Sequence, residues 1–177
     1  MATKVLFFDT SALIKMFVNE PGSSNVKWLT SPDTRVVNSL HFVLNEQVCI
    51  EFNQKIKHFL EAGRISLPKH DDILRKFNNH YKEKYFRIVG QKIISNTKQE
   101  TNLEDVIKEL NLTPGENDWD GMIYQSIINA LAYLGGESHP ILVSCDNRFG
   151  KKVKNQGYRV INPEKLSPDE LKKLLTT

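Results

Sequence analysis

Val5-Leu6-Phe7-Phe8-Asp9-Thr10-Ser11-Ala12-Leu13-Ile14 holds two periodicities in succession. The first, Val5–Phe8, is an unbroken apolar run that stops at an acid. A strand covered on both faces needs such a run, because its side chains alternate between the two faces. After Thr10 and Ser11, the apolar residues Ala12, Leu13 and Ile14 are followed one turn later by Phe17 and Val18. That is helical spacing. A strand feeding a helix is how a parallel α/β sheet begins, and the functional crevice of such a sheet lies beyond the carboxyl ends of its strands.

The alternation continues outward from this start. Pro21-Gly22-Ser23-Ser24 breaks the chain, and a short helix is predicted over Asn25–Leu29. Arg35–Asn38 reads as a second strand. Leu40–Ala62 reads as one long helix, with apolar Phe42, Val43, Leu44, Val48, Ile50, Ile56, Phe59 and Leu60 and with Gly63 placed to cap it. Pro68 opens a helix from His70 to about Tyr85, and Leu103–Leu110 is predicted helical before Pro114-Gly115. A further helix starts near Asp118 and stops at Gly135-Gly136. Ile141–Cys145 reads as a third strand ending at Asp146, Phe149–Asn155 as a short basic helix, and Tyr158–Ile161 as a fourth strand. Ser167-Pro168-Asp169-Glu170 is a helix start, with an N-cap Ser, Pro at the first position and Glu three residues after the cap. The expectation is an α/β fold with a doubly wound, mostly parallel sheet flanked by helices in three α/β/α layers. It is expected to form one domain over residues 1–177, with an enlarged helical region at about 68–114 and a C-terminal helix at about 167–175.

Composition excludes several classes. A chain of 177 residues makes about one domain. Its 40% hydrophobic and 25% charged residues are globular proportions. Lys+Arg 24 against Asp+Glu 21 leaves a charge of +3, which neither demands nor forbids a nucleic-acid partner. No apolar run approaches the ~20 residues of a membrane span, and the N-terminal run is too short for a signal peptide, so a cytoplasmic protein with no membrane partner is expected. Two cysteines, Cys49 and Cys145, are too few for a disulfide scaffold or a Cys-based zinc site. The histidines have no zinc-like spacing. No Gly-x-Gly-x-x-Gly follows the first strand, which argues against a dinucleotide enzyme.

The acids carry the chemistry. Asp9 and Asp146 each follow a predicted strand, a position equally suited to helix capping or turn formation. Asp120 sits in a first helical turn, where acids favour the positive end of the macrodipole, with Asp118 as a second candidate. Glu51 lies beside the stripe of Leu44, Val48 and Phe59, but Glu46 also has apolar neighbours, and the helical wheel does not choose between them. If these acids converge, a cation must hold them, because two like charges 4 Å apart repel by about 4 kcal/mol at an effective dielectric near 20. An all-oxygen set suits Mg²⁺ or Mn²⁺, ions that commonly act on phosphates.

Phe8-Asp9-Thr10-Ser11-Ala12-Leu13-Ile14-Lys15, followed by Asn19-Glu20-Pro21-Gly22-Ser23, resembles the start of PIN-domain proteins, especially the VapC toxin-like ribonucleases. Glu51-Phe52 ahead of Gly63-Arg64-Ile65-Ser66 is similar to the family's second-acid helix, and that spacing selects Glu51 over Glu46. Asp120-Gly121-Met122-Ile123 resembles the third acid opening a helix. Leu142-Val143-Ser144-Cys145-Asp146-Asn147-Arg148-Phe149 resembles the strand with the fourth acid, and Gly157-Tyr158-Arg159-Val160 the last strand.

The resemblance implies a metal-dependent endoribonuclease in which Asp9, Glu51, Asp120 and Asp146 hold Mg²⁺ or Mn²⁺. A metal-activated water would then cleave RNA to leave a 5′-phosphate and a 3′-hydroxyl. Thr10 and Ser11 would orient Asp9 or cap the helix. Lys151, Lys152 and Lys154 are candidates for RNA phosphate contacts. The resemblance further implies a toxin of a VapBC-type pair, with a cognate antitoxin and a homodimeric state. The alternatives are a housekeeping RNA-processing nuclease and a non-catalytic PIN-like binding module.

Overall fold

The computed structural model describes residues 4–83, 85–89, 121, 123–124 and 139–176. Five strands, β1 (Lys4–Phe8), β2 (Leu40–Asn45), β3 (Arg87–Val89), β4 (His139–Val143) and β5 (Arg159–Ile161), form one sheet in the order β3-β2-β1-β4-β5. Every pairing is parallel. Lys4 faces Leu40 on one side and His139 on the other, and Phe8 ends level with Val143. From β1 the chain builds outward first through β2 and β3, then returns and builds the other way through β4 and β5. The order therefore reverses between β1 and β4, so the crevice of this doubly wound, three-layer α/β/α fold opens at their carboxyl ends.

Helices cover the sheet. They are α1 (Thr10–Leu13, prolonged by a 3-10 turn at Ile14–Met16), α2 (Ser23–Leu29), α3 (Pro32–Val37), α4 (Glu46–Glu61), α5 (Leu67–Lys82), α6 (Asn147–Asn155) and α7 (Pro168–Thr176). Gly121, Ile123 and Tyr124 are also helical and buried. The expected helix from Asp118, the one over Leu103–Leu110 and most of the enlarged region otherwise lie outside the described residues. No helix among the described residues is long and apolar enough to cross a membrane.

Two predicted elements are corrected. Arg35–Asn38 is not a strand: it is the end of α3, which Ser31 caps by accepting the Thr34 N–H and which carries Pro32 in its first turn. The Leu40–Ala62 helix divides in two. Leu40–Asn45 is β2, and α4 begins only at Glu46, where the Asn45 side chain accepts the Gln47 N–H at 2.7 Å. Phe42, Val43 and Leu44 are all buried because β2 sits between β1 and β3, and a doubly covered strand has no alternation to betray it. The strand expected over Ile141–Cys145 lies two residues earlier, which leaves Ser144 and Cys145 in the loop before Asp146.

The remaining boundaries follow local chemistry. Gly63 adopts φ +68° after α4; its N–H reaches the Leu60 carbonyl, and the Arg64 N–H reaches that of Phe59. This left-handed cap suits glycine. At α7 the Ser167 hydroxyl and N–H both donate to Glu170 Oε2 at 2.8 Å, while the Glu170 N–H returns to Ser167 Oγ. The far end of α7 receives Lys4 Nζ on the Leu175 carbonyl and Arg159 on that of Leu174, cations placed at the negative end of a helix. Between sheet and helices, Phe8 meets Phe42 and Phe86 edge to face, and Phe52 of α4 packs on Phe17 and Phe77. The stripe Val48, Phe52, Ile56 and Phe59 fixes the rotation of α4 and so sets where Glu51 points.

Candidate functional site

Asp9 leaves the end of β1 at the point where the strand order reverses. It occupies the N-cap position of α1, yet its carboxylate makes no capping bond. Instead Oδ2 accepts two hydroxyls, Ser11 Oγ at 2.6 Å and Ser144 Oγ at 2.8 Å. Each hydroxyl is oriented from behind. Ser11 Oγ accepts the Cys145 N–H at 2.9 Å, and Ser144 Oγ accepts the Asp146 N–H at 3.0 Å. Because those amides can only donate, both hydroxyl protons are free to point at Asp9. No hydrogen bond among the described residues goes to Asp9 Oδ1.

Asp9 is 7% exposed. Burial pushes its carboxyl above the usual carboxylate range; the Ser11 and Ser144 hydroxyls oppose that rise, the charge of Glu51 adds to it, and Lys55 opposes it. Asp9 and Glu51 are thus close enough to repel. Glu51 is half-buried on the inward side of α4, and its Oε2 accepts the buried Thr10 hydroxyl at 2.5 Å. Its Oε1 pairs with Lys55 Nζ at 2.8 Å. The competing candidate, Glu46, is exposed in the first turn of α4.

Asp146 lies on the loop that presents Ser144 to Asp9, so it belongs to the same rim of the sheet. Its side chain caps α6, with Oδ1 accepting the Arg148 and Phe149 N–H groups at 2.8 and 2.9 Å. Here the plain helix-capping role is realised. Asp120 and Asp118 lie outside the described residues. Lys151 and Lys154 are exposed on α6, while Lys152 is half-buried and has partners of its own.

Three pairings escaped the sequence reading. Ser144 falls within the strand expected over Ile141–Cys145, where nothing marks its hydroxyl as a partner of Asp9. Lys55 is one turn after Glu51, a spacing that on any helix brings opposite charges together. Lys15 is buried against Glu164 at 2.8 Å and Glu20 at 3.6 Å, and Glu20 also holds Arg64 at 2.8 Å. Burial pushes both thiols, Cys49 and Cys145, up to about 12, which favours the protonated form.

Among the described residues no group of three or more His, Cys, Asp or Glu side chains forms a metal cage. Asp9 and Glu51 nonetheless fit Mg²⁺ or Mn²⁺ in kind. They are hard oxygen donors at mutually repelling positions, and Mg²⁺ is usually held by one or two carboxylates together with waters and substrate phosphates.

No protein-family profile and no curated protein matches the chain. Among solved structures it is similar to PAE2754 from Pyrobaculum aerophilum, with 17% identity over 99% of this chain and 89% of that one and a TM-score of 0.52. A domain of a functionally unknown protein from Methanocaldococcus jannaschii DSM 2661 aligns over 90% of both chains with 18% identity and a TM-score of 0.44. At such identities the likeness to the Pyrobaculum protein is one of fold.

Proposed function

We propose that the protein is a PIN-type endoribonuclease dependent on Mg²⁺ or Mn²⁺. The observation that carries this reading is the use made of Asp9. A carboxylate at the mouth of the sheet's crevice declines to cap its helix and is buried beside a second acid, Glu51, with two hydroxyls aimed at one of its oxygens. A purely structural acid has no need of that arrangement. Burying it costs free energy that a bound cation offsets.

Asp9 and Glu51 would hold the ion, joined by Asp120 and Asp146 as the family resemblance implies. When bound, the metal supplies an acidified water and offsets charge on the phosphate. Ser11 and Ser144 favour the charged form of Asp9 against the effect of burial and fix its direction. The Thr10 hydroxyl fixes the direction of Glu51. Lys151 and Lys154, exposed on the helix that leaves the rim, would contact phosphates along the RNA, with Lys152 beside them. On the same resemblance the protein acts in the cytoplasm as a toxin of a VapBC-type pair, as a homodimer restrained by a cognate antitoxin.

The test is RNA cleavage by the purified chain. The expected result is Mn²⁺- or Mg²⁺-dependent cleavage that leaves 5′-phosphates, stops in EDTA, and is lost in Asp9→Asn and Glu51→Gln variants whose circular dichroism is unchanged. Cleavage that survives EDTA or Asp9→Asn would overturn the proposal. Mn²⁺ binding without cleavage of any RNA would point instead to a non-catalytic binding module.

A further inference from the structure

Lys55 carries an inference that rests on the metal-binding reading above and concerns how that site is regulated. Its ammonium lies 2.8 Å from Glu51 Oε1, and its charge also acts on Asp9, so one cation serves both acids. Lys55 is 44% exposed, so its long side chain is free to move away. An ordinary pair one turn apart on a helix joins two solvated groups. Here the carboxylate is anchored on its other oxygen by the buried Thr10 hydroxyl, and its charge acts on a second, buried acid, Asp9. Glu51 is therefore kept in place by the Thr10 bond when its partner leaves. It needs another cation in the same place.

We propose that Lys55 is a resident counter-ion that competes with the divalent cation for Glu51, and that it sets the metal concentration at which the site fills. In the metal-free protein its ammonium balances the acid pair. A divalent ion binds Glu51 only by displacing it. Lys55 is in this sense a positioning residue and not a catalytic one, since it acts through Glu51.

Mn²⁺ binding followed by the electron paramagnetic resonance signal of the free ion tests this without reference to activity. The full chain is compared with Lys55→Met, which keeps the aliphatic stem, and Lys55→Arg, which keeps the charge; urea unfolding confirms that each is folded. Lys55→Met should bind Mn²⁺ roughly three- to tenfold more tightly, the scale expected for losing one competing charge at a partly exposed site. Lys55→Arg should stay close to the unaltered chain. Equal or weaker Mn²⁺ binding by Lys55→Met, with normal binding by the unaltered chain, would overturn the role of Lys55 and leave the site intact. An unaltered chain that binds no Mn²⁺ would overturn both.

Discussion

Asp9→Asn should make the metal-free protein more stable at neutral pH, although it removes a residue at the centre of the site. Asp9 is 7% exposed, and its carboxyl is shifted upward, first by burial and then by the charge of Glu51. The two hydroxyl bonds work the other way. A hydrogen bond to a charged acceptor is worth about 1.5–3 kcal/mol and one to a neutral acceptor about 0.5–1.5. Exchanging carboxylate for amide therefore forfeits about 1–1.5 kcal/mol at each of the two hydroxyls. Against that stands a desolvation cost of several kcal/mol for a buried ion. The net upward shift says that the cost is the larger side, and a gain of about 1–2 kcal/mol follows. At about 2.1 cal/mol/K per residue, a 177-residue chain gains about 3 °C in Tm for each kcal/mol, or about 3–6 °C in all.

The pH dependence fixes the sign. Because the folded-state pKa is raised, Asp9 costs nothing below its unfolded value near 3.9, and its penalty grows as pH rises through the folded value. Thermal melts of both proteins in EDTA between pH 4 and pH 8 should show curves that nearly meet at the acid end and separate upward, with Asp9→Asn the higher. Saturating Mn²⁺ should then raise the unaltered chain, by about 2.7 kcal/mol at a hundred times Kd, and leave the variant where it was. An Asn variant less stable than its parent at pH 7 in EDTA, or a gap that ignores pH, would refute the claim that Asp9 is held at a cost.

Two other sites give contrasting expectations. Lys15 is 4% exposed while the side chains of its partners Glu20 and Glu164 are 22% and 35% exposed, so the cost depends on which side is removed. Lys15→Met leaves carboxylates that water can reach and should lose about 1 kcal/mol. The Glu20→Gln/Glu164→Gln double variant strands a buried ammonium and should lose about 3 kcal/mol or more by urea unfolding; the reverse ranking would refute the argument. Burial opposes the Lys15 charge, but the Glu164 hydrogen bond and neighbouring negative charge raise its pKa overall, so its contribution is present below the unfolded value near 10.4 and fades only as pH climbs through the folded one. His80, whose Nδ1 is buried against Tyr85 and Phe17 with no hydrogen-bond partner among the described residues, behaves oppositely. Burial lowers its pKa, so stability is full above about 6.5 and declines as acid protonates the unfolded chain first. His80→Phe should flatten that decline between pH 5 and pH 6.5 and add about 1 kcal/mol, the low end for removing an orphaned polar atom. An unchanged acid limb would show that the imidazole is solvated.

The sequence revealed the fold wherever a change of periodicity fell within a few residues. β1, Asp9 and α1 are legible because an apolar run gives way to helical spacing across one acid. β2 was hidden because Leu40–Asn45 is covered on both faces and runs into α4 with only Asn45 between them, so strand and helix share one apolar stretch. At α3 the capping signal of Ser31-Pro32 was on the page, but Arg35-Val36-Val37 looked like a strand; Val36 and Val37 are 77% and 73% exposed, so local capping prevailed over β-branched preference. β3 is three residues at the sheet edge, too short to carry a pattern.

The site shows a deeper limit. Asp9 and Asp146 are the same residue type in the same local setting, each a carboxylate that leaves a strand end and precedes a helix. One is spent on capping and the other is not. Part of the difference is local: Ser11, two residues on, donates its hydroxyl to Asp9 at 2.6 Å, where Asp146 is followed at that spacing by Arg148. The rest comes from Ser144, 135 residues distant, whose hydroxyl also donates to Asp9 and is aimed at it by the amide of Asp146. Asp146 meets no such hydroxyl among the described residues, and its side chain turns to the two amides of α6. A carboxylate takes the strongest donors within reach, and which donors are in reach at a parallel-sheet rim depends on the strand that pairs alongside. The crevice between β1 and β4 therefore does more than gather acids. By setting a serine from one loop against the acid of the other, it adds a second hydroxyl to the oxygen of Asp9 that Ser11 already holds, and no hydrogen bond among the described residues goes to the other oxygen.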